Sequence, residues 1–374
     1  MPSRISALLL AVLAASGLAL TGCASTGAEA ADSCLHADTP LSSLDLVDDV
    51  RATTGQSTAC LSSHAISAVD GEQPHLPVSI TDAEGRAVEV TDVSRILAID
   101  ISGTIAATVY GLGLGDNVVG RDTATDFAGT EDLPVVTKAG HTLNAEAILE
   151  LAPTVILTDT SIGPKEVRQQ LRDAGIPVVM VSSERRADTV EDLIVEIATA
   201  LGVPGRGATL AEKTAADIAA AKDEVAAVAP EDPADRARII FLYVRGSANV
   251  YYIFGEESGA DSLIEAVGGV DVAEELGWVG MKPMTAEALV TAQPDVILMM
   301  TEGLASVGGV SGLLERVPAL RETPAGEHGR IIDMADEEVL GFGPRTADII
   351  RALARALYAP ADSPAVLATA APAS

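Results

Sequence analysis

Residues 143–158 read LNAEAILELAPTVILT, and residues 284–299 read MTAEALVTAQPDVILM. Each copy predicts a short helix that ends before a proline and is followed by an apolar strand. Asn144 and Thr285 stand two positions before a glutamate and are good helix N-caps, so Glu146 and Glu287 fall in the first helical turn. The helix dipole favours a carboxylate in the first turn. This structural role explains the two glutamates equally well without any function in binding. The repetition predicts two similar lobes that present the same feature.

Short apolar segments alternate with helix-length segments through the rest of the chain, which predicts parallel sheets in an α/β fold. Residues 206–229 contain no proline and only a thin apolar stripe, which is typical of a long helix that both lobes contact. The predicted divisions of the chain are a first lobe over residues 77–204, a connecting helix over 205–230, a second lobe over 231–360 and a flexible tail over 361–374.

Length and composition limit the class of protein and its partners. A chain of 374 residues is too long for one ordinary core and suits two domains or two lobes. The hydrophobic fraction of 48% excludes a largely disordered chain. The formal net charge of −30 argues against nucleic acid as a partner, because phosphate binding needs clustered lysine and arginine.

The N terminus predicts export and lipid attachment. Arg4 precedes an apolar run over residues 5–20 that is too short for a stable membrane span and is typical of a signal peptide over residues 1–22. The run ends in LTGC at residues 20–23, which resembles a bacterial lipobox. That resemblance implies lipidation of Cys23 and anchoring at the extracytoplasmic face of the cell membrane. A plain secretory peptide with an incidental cysteine is the alternative.

Residues 23–76 are rich in small and polar residues and predict a lipid-anchored tether. Cys34 and Cys60 are the two cysteines that remain after Cys23, and an even pair in an exported protein predicts a disulfide between them. His36, His64 and His75 also lie in this segment. We expect these three histidines to be solvated rather than to bind a metal.

Residues 76–358 resemble the substrate-binding proteins of ABC importers. The resemblance rests on the hairpin at residues 78–90, the glycines of residues 103–120, the two AEA-helix units and the long central helix. In the matching group, two Rossmann-like lobes joined by one rigid helix enclose a ligand cleft, and the ligands are iron-siderophores, cobalamin or haem. The resemblance implies that Glu146 and Glu287 dock into arginine pockets on the two permease subunits. Ala107 is a departure, because family members often carry a glutamate there.

Two short segments carry the chemistry expected at the cleft. His141 is the only histidine of the first lobe and lies just before the first AEA helix. Tyr243 and Arg245 end an apolar strand and are two positions apart, so both side chains point to one face. The combination of His141 with Tyr243 and Arg245 resembles the pattern found in the haem-binding lipoproteins of Gram-positive haem importers. There, a histidine and a tyrosine from opposite lobes ligate the iron, and an arginine two residues after the tyrosine hydrogen-bonds its oxygen.

The resemblance implies haem as the transported ligand, with His141 and Tyr243 as iron ligands. Haem iron accepts both histidine and tyrosine. Free tyrosine titrates near pH ~10, so the phenolate needs stabilisation by ferric iron and by the guanidinium of Arg245. Tyr252 is a further candidate contact, and Arg345 is expected either to meet a propionate or to serve the structure.

Each of these residues has an ordinary structural explanation by itself, and two other functions remain open. One is a ferric-siderophore or corrinoid binding protein of the same fold, although siderophore proteins usually need no axial His/Tyr pair. The other is an extracytoplasmic enzyme. The sequence contains no G-x-S-x-G, H-E-x-x-H or G-x-x-x-x-G-K-[ST] motif, so we predict a binding protein that is not an enzyme.

Overall fold

The computed structural model describes residues 39–138, 140–363 and 365. The predicted signal peptide over residues 1–22, Cys23, Cys34, His36 and most of the predicted tail lie outside the described residues. In the described part of the chain, no helix combines the length and the hydropathy that crossing a membrane requires.

The second half of the predicted tether is folded onto the body. Strand β1 (Gln56–Ala59) pairs in parallel with the last strand of the second lobe. Leu41, Val50 and Leu61 are buried in the main hydrophobic core. The expectation of a tether therefore does not hold for residues 41–61, because the apolar side chains there are buried and the edge strand is paired. Cys60, at the end of β1, is disulfide-bonded.

The first lobe is built on a four-stranded parallel sheet with strand order β5-β4-β8-β9. All four residues of β4 and of β8 are buried, as expected for parallel strands that are covered on both faces. A 3₁₀ turn covers Gly115–Asn117. The elements are β2 (Val78–Thr81), β3 (Ala87–Val90), β4 (Ile96–Ile99), α1 (Thr104–Gly111), β5 (Val118–Gly120), β6 (Thr137–Lys138), β7 (Thr142–Leu143), α2 (Ala145–Glu150), β8 (Val155–Thr158), α3 (Lys165–Asp173), β9 (Val178–Met180) and α4 (Val190–Ala200).

One long helix, α5 (Pro204–Ala226), leads from the first lobe to the second. Pro204 occupies the first turn, where its missing N–H costs nothing. The helix packs on α4 of the first lobe and on the last helix of the second lobe. Leu210, Ile218 and Val225 form its buried stripe. The helix ends a few residues before the predicted boundary at Pro230.

The second lobe has a seven-stranded sheet with strand order β1-β15-β14-β10-β11-β13, and β12 pairs with β10. Strands β10, β14 and β15 are parallel, whereas β11 runs antiparallel to β10. The elements are β10 (Arg238–Arg245), β11 (Val250–Phe254), α6 (Ala260–Ala266), β12 (Val270–Asp271), α7 (Val272–Glu275), β13 (Met281–Pro283), α8 (Ala286–Ala292), β14 (Val296–Met300), α9 (Thr301–Ser306), α10 (Gly309–Arg316), α11 (Pro324–His328), β15 (Ile331–Met334) and α12 (Thr346–Tyr358).

The two lobes also touch directly. The guanidinium of Arg186 forms an ion pair with Asp261 of α6, and the backbone N–H of Ala187 donates to Ser262 Oγ at 2.9 Å. These contacts join the loop after β9 to the start of α6. The lobes are therefore connected on one side by polar contacts as well as by α5.

His64 takes part in a contact that the sequence did not predict. Its carbonyl accepts a hydrogen bond from the backbone N–H of Ala128 in the first lobe. Its ring Nδ1 lies 3.0 Å from Oε1 of Glu338, a buried carboxylate of the second lobe. The Glu338 carboxylate raises the pKa of His64, against the opposing effect of burial. The His64 side chain is 59% exposed, in line with the expectation of a solvated histidine, and its contacts with Ala128 and Glu338 also link the two lobes.

Candidate functional site

Tyr243 lies near the carboxyl end of β10 on an aromatic face of the second-lobe sheet. The strand register sets it directly opposite Tyr252 of β11, so both side chains share one face. The ring of Phe254 stacks on Tyr243 with centroids 5.6 Å apart and on Phe241 with centroids 5.0 Å apart. Phe241 and Phe254 are buried, while Tyr243 is only partly buried. This packing supports the Tyr243 ring at the edge of the hydrophobic core.

Arg245 lies over the face of the Tyr243 ring, as their two-residue spacing predicts. The guanidinium carbon is 4.6 Å from the ring centroid, within the range of a cation–π interaction. The guanidinium also donates to Asp336 Oδ2 at 2.6 Å and to the carbonyl of Val244 at 3.0 Å. The structure thus shows a contact of Arg245 with the ring face and with Asp336 rather than the expected hydrogen bond to the tyrosine oxygen. The sequence did not single out Asp336.

His141 lies in the turn between β6 and β7 of the first lobe. Gly140, next to it, has a positive φ of 81°, which only glycine adopts readily. The His141 Nδ1 atom is buried and has no hydrogen-bond partner among the described residues. Burial lowers the pKa of His141 below its ordinary value of 6.5, the charge of Arg245 lowers it further, and Asp100 opposes both effects. His141 and Arg245, from opposite lobes, therefore lie within electrostatic reach of each other.

The effect of the Arg245 charge on the pKa of His141 predicts a measurable electrostatic coupling between the two lobes. Replacing Arg245 with leucine removes a positive charge near the imidazole, so we expect the pKa of His141 to rise. An NMR titration of the histidine ring signals in the ligand-free protein measures the shift. Arg351→Leu is the matched control, because Arg351 pairs with Glu224 of α5 instead. An unchanged His141 pKa in Arg245→Leu would show that the two side chains are not electrostatically coupled.

The sequence also missed a buried acidic network at the carboxyl ends of the first-lobe strands. Asp100 follows β4, Asp122 follows β5 and Asp159 follows β8. The guanidinium of Arg185 bridges Asp100 at 3.1 Å and Asp159 at 2.6 Å. Burial, assisted by the charge of Asp100, raises the pKa of Asp122 to about 7. Aspartates directly after β4 and β8, and one two residues after β5, were a sequence signal for this network, because the ends of parallel strands converge at one edge of a sheet.

Glu146 and Glu287 occupy corresponding places in the two lobes. Each lies in the first turn of its short helix, α2 or α8, and each is exposed. Thr285 caps α8 by accepting the backbone N–H of Ala288 at 3.1 Å. Asn144 stands at the N-cap position of α2 but makes no capping hydrogen bond through its side chain. The docking role of the two glutamates stays a prediction.

The secondary candidates differ in their surroundings. Tyr252 is partly buried on the face of Tyr243. Arg345 is buried, lies 3.8 Å from Glu338 and has its guanidinium carbon 5.4 Å from the Phe127 ring centroid, so it serves the contact between the lobes. Ala107, where family members often carry a glutamate, is buried in α1. Cys34, the predicted disulfide partner of Cys60, lies outside the described residues.

Two α/β lobes, each built on its own sheet and joined by one long helix, have the architecture of a two-lobed binding protein. A sequence model of the periplasmic binding protein family matches residues 99–338. The chain therefore belongs to the periplasmic binding protein family, and the expected fold class is confirmed.

Relatives and solved structures agree with this assignment. An uncharacterised ABC transporter substrate-binding lipoprotein of Bacillus subtilis is 26% identical over 287 residues, which cover 75% of this chain and 86% of the relative. A cobalamin-binding protein of Halobacterium salinarum is also 26% identical over 287 residues, covering 75% of this chain and 74% of the relative.

The crystal structure of the haem-binding protein HmuT is 43% identical to this chain, with a TM-score of 0.79, and the match covers 83% of this chain and 99% of that chain. Similar structures include variants of HmuT in which one histidine, one tyrosine or one arginine is replaced by alanine. In those variants the tyrosine and the arginine are two positions apart, as Tyr243 and Arg245 are in this chain.

Proposed function

We propose that this protein captures haem between its lobes and delivers it to an ABC permease for import of haem iron. His141 of the first lobe and Tyr243 of the second ligate the iron from opposite sides. The observation that carries the proposal is the Arg245 guanidinium on the ring of Tyr243, and the buried His141 Nδ1 atom, which has no hydrogen-bond partner among the described residues, supports it. The similarity to HmuT over most of both chains supports haem as the ligand.

The electrostatics of the cleft suit this chemistry. Burial and the charge of Arg245 disfavour protonation of His141, which leaves an imidazole lone pair available for iron at neutral pH. Tyrosine in its phenolate form is a hard anionic ligand that suits ferric iron, and the positive charge of Arg245 lies against the ring of Tyr243. Ferric haem, when bound, would stabilise the phenolate. Tyr252, beside Tyr243 on the same face, is the further proposed contact.

Titration of the mature chain with hemin tests the proposal. We expect a saturable Soret band with ferric His/Tyr character, and no comparable uptake of cobalamin or of a ferric siderophore added under the same conditions. Binding of cobalamin in place of hemin would instead favour the corrinoid alternative, to which the cobalamin-binding relative of Halobacterium salinarum points. A chain that takes up neither hemin nor the other two ligands would refute the proposal.

Delivery requires a partner, and we propose that Glu146 and Glu287 contact basic pockets on the two halves of a permease dimer. The support is their exposure and their matching positions in the repeated units. Charged pairs at such a surface set orientation and association rate more than affinity. The glutamates lie on α2 and α8, outside the cleft strands, so docking and ligand binding use different side chains.

We further propose that the mature chain begins at Cys23, carries a lipid there and works at the extracytoplasmic face of the cell membrane. The LTGC sequence at residues 20–23 and the lipoprotein relative of Bacillus subtilis support this location. Pairing of Cys60 with Cys34 is part of the same proposal, since disulfides persist in oxidising compartments.

A further inference from the structure

We infer that Asp336 is the positioning residue of the Tyr243 ligand, because it holds Arg245 against the tyrosine ring. The inference rests on the proposed haem-binding function and deepens it. Asp336 follows β15, whereas Tyr243 and Arg245 lie on β10, and no local sequence pattern connects them. The second-lobe half of the site is thus a unit of three side chains, Tyr243, Arg245 and Asp336.

The topology of the second lobe brings these residues together. Strands β10, β14 and β15 are parallel neighbours, so their carboxyl ends meet at one edge of the sheet. Tyr243 and Arg245 lie at the end of β10, Met300 lies at the end of β14, and Asp336 follows β15 by two residues. Asp336 and Arg245 are 91 residues apart in sequence.

Both carboxylate oxygens of Asp336 are engaged. Oδ2 accepts from Arg245 Nη2 at 2.6 Å, and Oδ1 accepts from the backbone N–H of Glu302 at 3.0 Å. The second bond fixes the carboxylate to the start of α9. The side chain of Asp336 is 15% exposed and that of Arg245 is 29% exposed, so the pair is partly shielded from water and stronger than an open surface pair. Asp336 therefore connects Arg245 to the framework of the lobe.

The other contacts of the guanidinium are weaker. Arg245 Nη1 donates to the carbonyl of Val244, its own neighbour in the chain, and Nη2 lies 3.7 Å from the sulfur of Met300. Neither contact is charged, and a sulfur atom is a weak acceptor. Without the Asp336 carboxylate, the long arginine side chain regains rotamers that leave the ring of Tyr243. The contact of Arg245 with the Tyr243 ring therefore depends on Asp336.

Asp336→Asn separates the two roles of the carboxylate. The asparagine oxygen still accepts the N–H of Glu302, whereas the side-chain amide group offers a donor to a guanidinium that has only donors. We expect hemin to bind to the variant but to dissociate about tenfold faster, as is usual when a group that orients a metal ligand is lost. The Soret and charge-transfer bands should shift as the tyrosinate loses its oriented cation.

A double variant distinguishes positioning from a general effect on stability. In an Arg245→Ala background, Asp336→Asn should change the hemin dissociation rate less than twofold, because the two residues act as one unit. Asp348→Asn is the control, since Asp348 also faces an arginine, Arg351, but on α12. If Asp336→Asn accelerated hemin dissociation tenfold in both the wild-type and the Arg245→Ala protein, the inference would be wrong. The effect would then come from the contact of Asp336 with the start of α9 and not from Arg245.

A measurement without haem keeps the inference testable by itself. In the ligand-free protein, the side-chain protons of Arg245 should show an upfield NMR shift from the ring current of Tyr243. Asp336→Asn should move these signals toward their values in an unstructured peptide, while Asp348→Asn should not. Unchanged Arg245 signals in Asp336→Asn would overturn the positioning role. Failure of the wild-type protein to take up hemin would overturn the proposed function instead.

Discussion

We expect Tyr243→Ala and His141→Ala each to lower the affinity for hemin by at least about 100-fold, since loss of a proposed iron ligand should exceed the 10- to 100-fold typical of an outer partner. Tyr243→Ala removes the proposed anionic ligand and leaves Arg245 without the ring on which it lies. His141→Ala removes the proposed neutral ligand of the opposite lobe. Hemin titration followed by Soret absorbance, together with the rate of hemin transfer to apomyoglobin, measures both effects.

Matched controls exist for both substitutions. Tyr251 neighbours Tyr252 on β11, but its side chain lies on the other face of the sheet and packs in a separate hydrophobic cluster. His75 is exposed in the segment before the first lobe. We expect Tyr251→Ala and His75→Ala to retain hemin with an unchanged spectrum. If Tyr243→Ala and His141→Ala also gave an unchanged spectrum, the assignment of the iron ligands would be wrong.

Arg245→Ala should have an intermediate effect. The tyrosine ligand remains, so hemin still binds, but the phenolate loses a nearby positive charge. The substitution also removes the Arg245 charge that lowers the pKa of His141. The pKa of His141 should therefore rise, so a proton competes with iron for the imidazole at a higher pH. The variant should therefore release hemin at a higher pH than the wild type does in an acid titration of the Soret band. Equal release profiles would show that Arg245 does not act on the ligand site.

Much of the architecture was predictable because its causes are local. Parallel strands that are covered on both faces have continuous apolar sequences. Strands β4 and β8 are both of this kind. The repeated AEA-helix units predicted two lobes, and the period of two along a strand predicted that Tyr243 and Arg245 share a face. Strand β1, with the sequence QSTA, gave no such signal, because an edge strand can be polar and depends on its distant partner β15.

The parts of the site that the sequence missed depend on contacts between distant residues. Asp336 is 91 residues from Arg245, and Arg185 is 85 residues from Asp100. No local pattern pairs one particular aspartate with one particular arginine when the chain contains 54 acidic and 24 basic residues. The topology of the sheets makes these pairings, since it gathers the strand ends at one edge. A polar residue directly after an apolar strand is the useful sequence signal, and Asp100 and Asp159 carry it.

The double variant Glu146→Ala, Glu287→Ala should bind hemin with unchanged affinity and deliver it about tenfold more slowly, since exposed charge pairs each contribute about 0.2–1 kcal/mol. Each single variant should have a smaller effect, because the other lobe keeps its contact. Haem uptake by cells in which the variant replaces the wild-type protein measures delivery, and hemin titration of the purified variant measures binding.

The control for docking must remove two exposed first-turn glutamates that lie outside the repeated units. Glu191 of α4 and Glu327 of α11 meet this requirement, one in each lobe. Their double replacement by alanine removes the same net charge, so a general loss of electrostatic attraction to the permease would slow both double variants equally. A specific effect slows only the Glu146 and Glu287 pair, because the contact depends on where the two carboxylates lie and not on the net charge of −30. Normal uptake by that pair would leave both glutamates as helix-start residues stabilised by the helix dipole.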